Sequence, residues 1–556
     1  MDDYFTAFEH RKPPAPLKTN PWIHAIGQIF LLNALVLGAW YLHWRWTESL
    51  NFDALWFSVP LVMAETGAYI GLVLFVFNIW RVKDVPQSDA PKCITQCVRN
   101  GEALPRSISV DVYFPSYDED PDLVRLSLLD AKKIDYPHAI DIRIHVLDDG
   151  NRPGMRELAE ELGCNYITRD NNIGFKAGNL RNAMEQTTGD FILICDADTR
   201  PFPTILKNTL GYFTDPDVAW VQTPQWFFDL PEGEDLEVVW QRRMGAPGRV
   251  LAGAITKVFG GIKIGHDPFV NDPQMFYDVI QRRRNWANAS FCCGAGSVHR
   301  REATMQAALR TYGIDIVNSA QKRGKTLQML TGESVTDPDV LKHITTQTMM
   351  DTEFTPYKFH VSEDIYTSIE LHSDTGRDWK SVMHAQVESK MLSPQDLLTW
   401  TTQRFKYAGG TLDIALNDHF LWRKGLSWQQ RMMYGSTVWS YFGALWNVVF
   451  LFSPIIYLFL AVAPVSAFSQ EFYKHIFPFL VATELGMLFS VWGLSMTKSK
   501  YSYLAFFPVN LQALWTVLRG RKISFPVTPK TRQDGTFLRL VWPQLAVCGL
   551  TAIGIV

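Results

Sequence analysis

The chain has 556 residues, 47% of them hydrophobic, with 19 Trp and 35 Phe, which is enough for two or more domains. A net charge of −3 gives no footing for nucleic-acid binding. The seven cysteines form no CxxC pair and no Cys/His cluster with zinc spacing, so they read as free thiols of a reducing compartment.

The first twenty residues are polar and Pro-rich (Arg11-Lys12-Pro13-Pro14), and no small-residue site closes the apolar run behind them. A cleaved leader is therefore not expected. Ile23 to Trp44 and Ala54 to Trp80 are long enough to cross a bilayer, which takes about 20 residues. Trp40, Trp44, Trp46 and Trp80 sit where interfacial aromatics belong. Glu65 interrupts the second run, and an acid at that depth is expected to face other helices or a cavity.

From Arg81 to about Leu397 the chain turns polar, and β-branched apolar runs alternate with helical patterns. Ser109 to Phe114, Ile142 to Val146, Phe191 to Cys195 and Val218 to Thr223 read as strands. Leu123 to Lys133 and Met155 to Leu162 read as helices. This alternation predicts an α/β domain with a mostly parallel sheet covered on both faces. Further spans are expected at Tyr434–Val462, Ile476–Leu494 and Leu538–Val556. Interfacial helices are expected at Tyr501–Leu518 and Leu426–Met433.

The expected division is a tail with two spans (1–80), a polar domain (81–400), a motif with interfacial helices (401–433), two spans (434–500), an interfacial helix with a basic loop (501–535) and a last span (536–556). That last run is still apolar at Val556, which predicts that the native protein continues. Lys and Arg cluster around Arg11, Arg81, Arg423 and Arg519, so the positive-inside rule puts the polar domain in the cytosol of a multi-pass inner membrane protein.

Four motifs, and a glycine-containing segment between the first two, carry candidate chemistry. Asp148-Asp149-Gly150 closes a strand, where ligands of parallel sheets bind, although Asp-Asp-Gly is also a common turn. Asp196-Ala197-Asp198 puts two carboxylates at a strand end, a donor set for Mg²⁺ or Mn²⁺ that otherwise reads as a solvated loop. Between them, Gly174 to Ala183 offers close backbone approach, and Lys176 offers a point charge for phosphate. Ser362-Glu363-Asp364 opens a helix, either as a plain N-cap or to present Asp364 as a general base. Gln403 to Tyr407 combines cations for a diphosphate with an aromatic for a sugar, or forms an ordinary amphipathic helix.

Together these motifs resemble the cellulose synthase family of processive family-two glycosyltransferases, from about Val110 to Lys530. The resemblance extends to Val110 to Glu119, to Lys176-Ala177-Gly178-Asn179, to Val221 to Gln225 and to Phe291-Cys292-Cys293-Gly294. Phe525 to Lys530 matches the F-x-V-T-x-K gating pattern. The resemblance implies a GT-A-like domain inserted between transmembrane helices, which polymerises UDP-glucose into a β-glucan and moves the product through the bilayer. It implies Asp364, with Glu363, as catalytic acids, and Asp196 and Asp198 on the metal. UDP and donor would engage Ser116, Glu119, Asp149, Lys176, Asp196, Gln403, Arg404, Lys406, Thr528 and Lys530. Tyr407, Phe291 and Cys293 would hold the acceptor. Ser362 replaces the family's Thr, and Lys406-Tyr407 replaces Arg-Trp, so β-1,3 or mixed linkage competes with β-1,4. No R-x-x-x-R switch follows the gating pattern, so control by cyclic-di-GMP is not expected from these residues. A non-processive transferase acting on a lipid carrier and a non-catalytic transporter or scaffold are the competing readings.

Overall fold

The computed structural model describes residues 4–99, 104–230, 233–259, 262–264, 273–332, 337–494, 496–523 and 535–555. The polar domain is built on a seven-stranded sheet. Its strands are β1 (Ile108–Ser116), β2 (Ile140–Asp148), β3 (Asn165–Ile167), β4 (Phe191–Ile194), β6 (Val218–Gln222), β10 (Ser297–Arg300) and β11 (Lys380–Met383), ordered β11-β6-β10-β4-β1-β2-β3. A three-stranded sheet joins β5 (Arg200–Pro201), β12 (Ser389–Met391) and β7 (Trp226–Phe227), and β8 (Glu234–Asp235) pairs with β9 (Lys263–Ile264).

Strands β1, β2, β3 and β4 run parallel, joined by the helices Pro121–Ala131, Pro153–Glu161 and Phe175–Gln186. The first two helices begin with Pro at the first turn, where a missing N–H costs nothing. Asp120 also caps the first, its side chain accepting from Asp122 N. Alternate residues of β1 and β4 feed two cores. Val110, Val112, Phe114 and Leu193 pack on one face, and Tyr113, Ile192 and Ile194 on the other. Burial on both faces explains why these strands read as continuous apolar runs. One departure from the parallel pattern is β10, which lies antiparallel between β4 and β6. The sheet is mixed and mostly parallel.

Four helices among the described residues are long and apolar enough to cross a membrane: Pro21–Thr47, Phe52–Ile79, Trp428–Leu460 and Leu538–Ile555. The expected span at Ile476–Leu494 is a helix, Ser469–Ser490, but it is not one of the four. Lys474, His475 and Glu484 dilute its apolar content. It packs closely on Pro21–Thr47 through small residues: a Cβ on Gly27 would lie 2.6 Å from Ser490 Oγ, and one on Gly486 2.8 Å from Leu31. Glu65 faces a neighbouring helix, as an acid at that depth should, pairing with buried Arg45 at 2.8 Å.

Two helix expectations are corrected. Leu426–Met433 is no separate interfacial helix, because Ser427 and Gln430 form a capping box that starts the Trp428–Leu460 helix there. Tyr501–Leu518 is two helices, Thr497–Ala505 and Phe507–Leu518. The break falls at Phe506, and Pro508 sits in the first turn of the second helix, where its missing N–H costs nothing but could not serve a helix interior.

Candidate functional site

Strands β1 and β2 end in register, with Ser116 opposite Asp148. Buried Asp148 accepts from Arg152 N at 2.7 Å, from Arg152 Nη2 at 2.9 Å and from Tyr166 Oη at 2.9 Å. Arg152 also donates to Ser116 Oγ at 2.6 Å, and Ser116 donates to Glu119 at 3.0 Å. Asp149 is held by both ends of the Arg169 guanidinium, at 2.6 and 2.7 Å. Burial still pushes the Asp149 carboxyl above its ordinary range, against Arg169. This edge of the sheet is therefore internally hydrogen-bonded, and Ser116, Glu119 and Asp149 do not line the cavity beside it.

That cavity holds about 100 Å³. Asp196 and Asp198, which follow β4, form one wall, and Lys176 enters from the start of the Phe175–Gln186 helix. Glu363 and Asp364 come from the start of the Glu363–His372 helix. Gln403, Lys406 and Tyr407 come from the Leu397–Asn417 helix. Residues from three of the four motifs thus meet in one space, although more than 150 positions separate Asp196 from Asp364.

Local backbone explains how these side chains get there. Gly174 (φ 75) and Phe175 (φ 50) are both left-handed, which is costly for Phe and marks a stressed turn. A Cβ on Gly174 would lie 2.6 Å from the Phe359 ring. The turn delivers Lys176 Nζ to Asp196 Oδ1 at 2.5 Å, with Glu363 at 3.8 Å. Burial works against the lysine charge, but Asp196, Glu363 and Asp364 outweigh it and hold its pKa above the ordinary range. Gly294 (φ 84) floors the same space, and a Cβ there would lie 3.5 Å from Lys176 Nζ and 3.7 Å from Asp364 Oδ2.

Asp364 turns Oδ1 to the Ile365 N–H at 2.8 Å. Burial, and then the charge of Glu363, push its carboxyl up to about 6, against that N–H and the ammonium groups of Lys406 and Lys176. A buried carboxylate raised toward neutrality fits a proton acceptor working near pH 7.

The remaining predicted residues do not all reach the cavity. Cys293 lines the cavity and receives Gln281 Nε2 at 3.4 Å. Phe291 is buried beneath it, stacked on Tyr434 at 6.2 Å with the Arg284 guanidinium 5.3 Å from its ring. Arg404 points away from the cavity lining, toward Phe506 at 5.1 Å and Trp400 at 6.0 Å, with Nε and Nη2 lacking hydrogen-bond partners among the described residues. Burial lowers its pKa to about 10. Thr528 and Lys530, with the rest of Phe525 to Lys530, lie outside the described residues.

Sequence reasoning assigned no role to Phe227, Met391 or Leu392, which also line the cavity. The Leu392 N–H donates to Asp198 Oδ2 at 3.3 Å. No motif marks these residues, because β12 and β7 come together only through the three-stranded sheet they form with β5.

Residues 111–307 match Glycosyl transferase family 2, so the chain carries a family-two glycosyltransferase domain on a mixed, mostly parallel α/β sheet. Along most of its length it is similar to bacterial cellulose synthases. It is 28% identical over 475 residues to the cellulose synthase catalytic subunit [UDP-forming] of Pseudomonas fluorescens (strain SBW25), covering 84% of this chain and 52% of that protein. It is 29% identical over 540 residues to cellulose synthase 1 of Komagataeibacter xylinus, covering 95% of this chain and 29% of that protein. The chain thus spans about half or less of the length of these two relatives. Among solved structures, the mannosyltransferase PcManGT from Pyrobaculum calidifontis, in complex with GDP-Man and Mn²⁺, aligns with a TM-score of 0.44 and 13% identity, covering 82% of this chain and 99% of that one.

Proposed function

We propose that this chain is an inverting, processive glycosyltransferase that polymerises UDP-glucose into a β-glucan, β-1,3 or β-1,4 linked, and passes the product through its own membrane helices. One observation carries the reading. Acids suited to the donor (Asp196, Asp198) and an acid suited to the acceptor (Asp364) share one cavity, and the Leu397–Asn417 helix that helps line it packs on a candidate membrane span. Ala408, Leu412 and Ile414 of that helix pack with Tyr434 and Val438 of the Trp428–Leu460 span. The two curated relatives quoted above are named as cellulose synthases, which supports a β-glucan product.

In the proposed reaction Asp364 takes the proton of the acceptor hydroxyl. The freed oxygen forms a bond to the anomeric carbon while the bond from that carbon to the UDP oxygen breaks, inverting the α-linked donor to a β product. Tyr407 offers a ring against the acceptor sugar, and Lys176 and Lys406 offer charge to the leaving diphosphate.

The donor set fits a divalent metal. Asp196 and Asp198 supply hard carboxylate oxygens, and no group of three or more His, Cys, Asp and Glu able to hold a metal occurs among the described residues. Such a two-carboxylate set suits Mg²⁺ or Mn²⁺ completed by substrate phosphates. Bound there, the ion would neutralise diphosphate charge.

The Lys and Arg bias around the spans supports a catalytic domain on the cytosolic side of a bacterial inner membrane. The deciding experiment incubates purified protein with UDP-glucose and Mg²⁺ or Mn²⁺, measures UDP release, sizes the product and digests it with linkage-specific glucanases. Transfer of a single sugar to a lipid would exclude the processive reading. No UDP release would exclude transfer altogether.

A further inference from the structure

The helix that carries Asp364 starts without its usual support. Ser362 holds the N-cap position (φ −117, ψ 61), but its side chain makes no capping hydrogen bond. The third helical residue is Ile365, whose side chain cannot return to the Ser362 N–H as Glu or Gln does in a capping box. That N–H goes instead to His360 Nδ1 at 3.1 Å. On the other side of the ring, Nε2 meets Asp413 Oδ2 at 3.0 Å. A ring nitrogen that accepts leaves the proton on its partner, so Nε2–H donates to the carboxylate and the tautomer follows from the two neighbours.

Asp413 belongs to the Leu397–Asn417 helix, about two turns beyond Tyr407. Its other oxygen, Oδ1, accepts from Asn417 Nδ2, so the carboxylate is itself oriented. The His360 hydrogen bond holds the Asp413 carboxyl below the ordinary range. The two segments also touch through backbone: a Cβ on Gly410 would lie 2.0 Å from Ser362 Oγ and 2.9 Å from Ser362 Cβ. The His360 ring meets Tyr366 edge-on at 5.4 Å, which fixes its plane. His360 itself is not among the cavity-lining residues.

We infer that His360 is a positioning residue: bridging Ser362 N–H to Asp413, it locks the turn that carries Asp364 onto the helix that carries Lys406 and Tyr407. The bridge sets the separation between the proton acceptor and the ring that receives the sugar. The inference rests on the functional reading above and adds to it a device that touches neither substrate. An aromatic or aliphatic filler at 360 would occupy the same volume without making either hydrogen bond.

The test compares His360→Ala, His360→Asn and Asp413→Ala in the purified full chain, following UDP release from UDP-glucose and, separately, UDP binding by calorimetry. His360→Ala is expected to lower kcat by roughly 10- to 100-fold, the scale of a displacement of about 1 Å in a reacting geometry. Its KM for UDP-glucose and its affinity for UDP are expected to stay within about twofold, since the lost interaction serves the reaction and not ground-state binding. His360→Asn keeps an acceptor where Nδ1 sits and is expected to recover most of the lost rate. Asp413→Ala keeps the imidazole but frees its tautomer, and should fall between the two.

Wild-type kcat in His360→Ala would overturn the assignment. So would equal impairment of the Asn and Ala variants, which would reduce His360 to a space filler, or loss of UDP binding together with rate, which would mark a collapsed site. A wild-type protein that releases no UDP would bring down the functional reading first, and the role of His360 with it.

Discussion

Replacing Asp364 with Asn separates chemistry from architecture. The amide keeps the shape of the side chain, and its oxygen still accepts the Ile365 N–H that Oδ1 receives at 2.8 Å. Lys176 and Asp196 remain paired, so UDP binding should stand. Without a carboxylate the acceptor proton has no recipient, and glucan formation should fall by about 10²- to 10⁴-fold. Stability should move the other way. Burial and Glu363 carry the carboxyl from 3.8 to about 6, a difference equivalent to about 3 kcal/mol as an upper figure. The unfolded chain ionises near 3.8 and the folded chain only near 6. The contribution of this group to wild-type stability is therefore full below 3.8 and is lost as pH rises through 6. Asn carries no such proton. Asp364→Asn should melt above wild type at pH 8, and the gap should close toward pH 3.5, to be read by thermal unfolding in detergent. The wild-type rate should climb with pH through about 6 and then level. Normal glucan yield from the variant would refute the base assignment. A variant less stable than wild type at pH 8 would refute the account of its environment.

Three further outcomes are expected. Lys176→Met removes the ammonium that Asp196 holds at 2.5 Å, and with a charge-assisted bond worth about 1.5–3 kcal/mol its UDP affinity should weaken roughly 10- to 100-fold by calorimetry. Gly294→Ala puts a Cβ on a left-handed backbone between Lys176 and Asp364, and a cost of about 1–2 kcal/mol should lower the melting temperature along with kcat. Removing divalent ions with EDTA should stop UDP release, with recovery on adding Mg²⁺ or Mn²⁺ and none in Asp198→Asn; undiminished turnover in EDTA would remove the metal from the proposal.

Much of the fold was legible in the chain because its signals are local. The apolar runs of β1, β2, β4 and β6 and the helices between them follow from patterns shorter than a dozen residues. The acids at the end of β4 were visible because a motif that follows a buried strand has to emerge at the sheet edge. The apolar stretches that can span a bilayer were visible by length alone, apart from Ser469–Ser490, whose polar residues weaken it. The helix break at Phe506 was also written locally, in Pro508, but an aromatic pattern that continues across it masks the signal.

Composition and spacing determined an α/β domain between apolar helices, and which acids stand at strand ends. Tertiary structure alone decided which of those acids line the cavity. Arg169, twenty positions away, takes Asp149 into the sheet edge, whereas Asp196 and Asp364 face each other's neighbourhood across one cavity. It also turned Arg404 toward Phe506, set β10 antiparallel between β4 and β6, and joined His360 to Asp413. The reason is physical. A side chain's direction on a helix or strand end depends on what packs behind it, and those partners lie tens to hundreds of residues away, where no local pattern reaches.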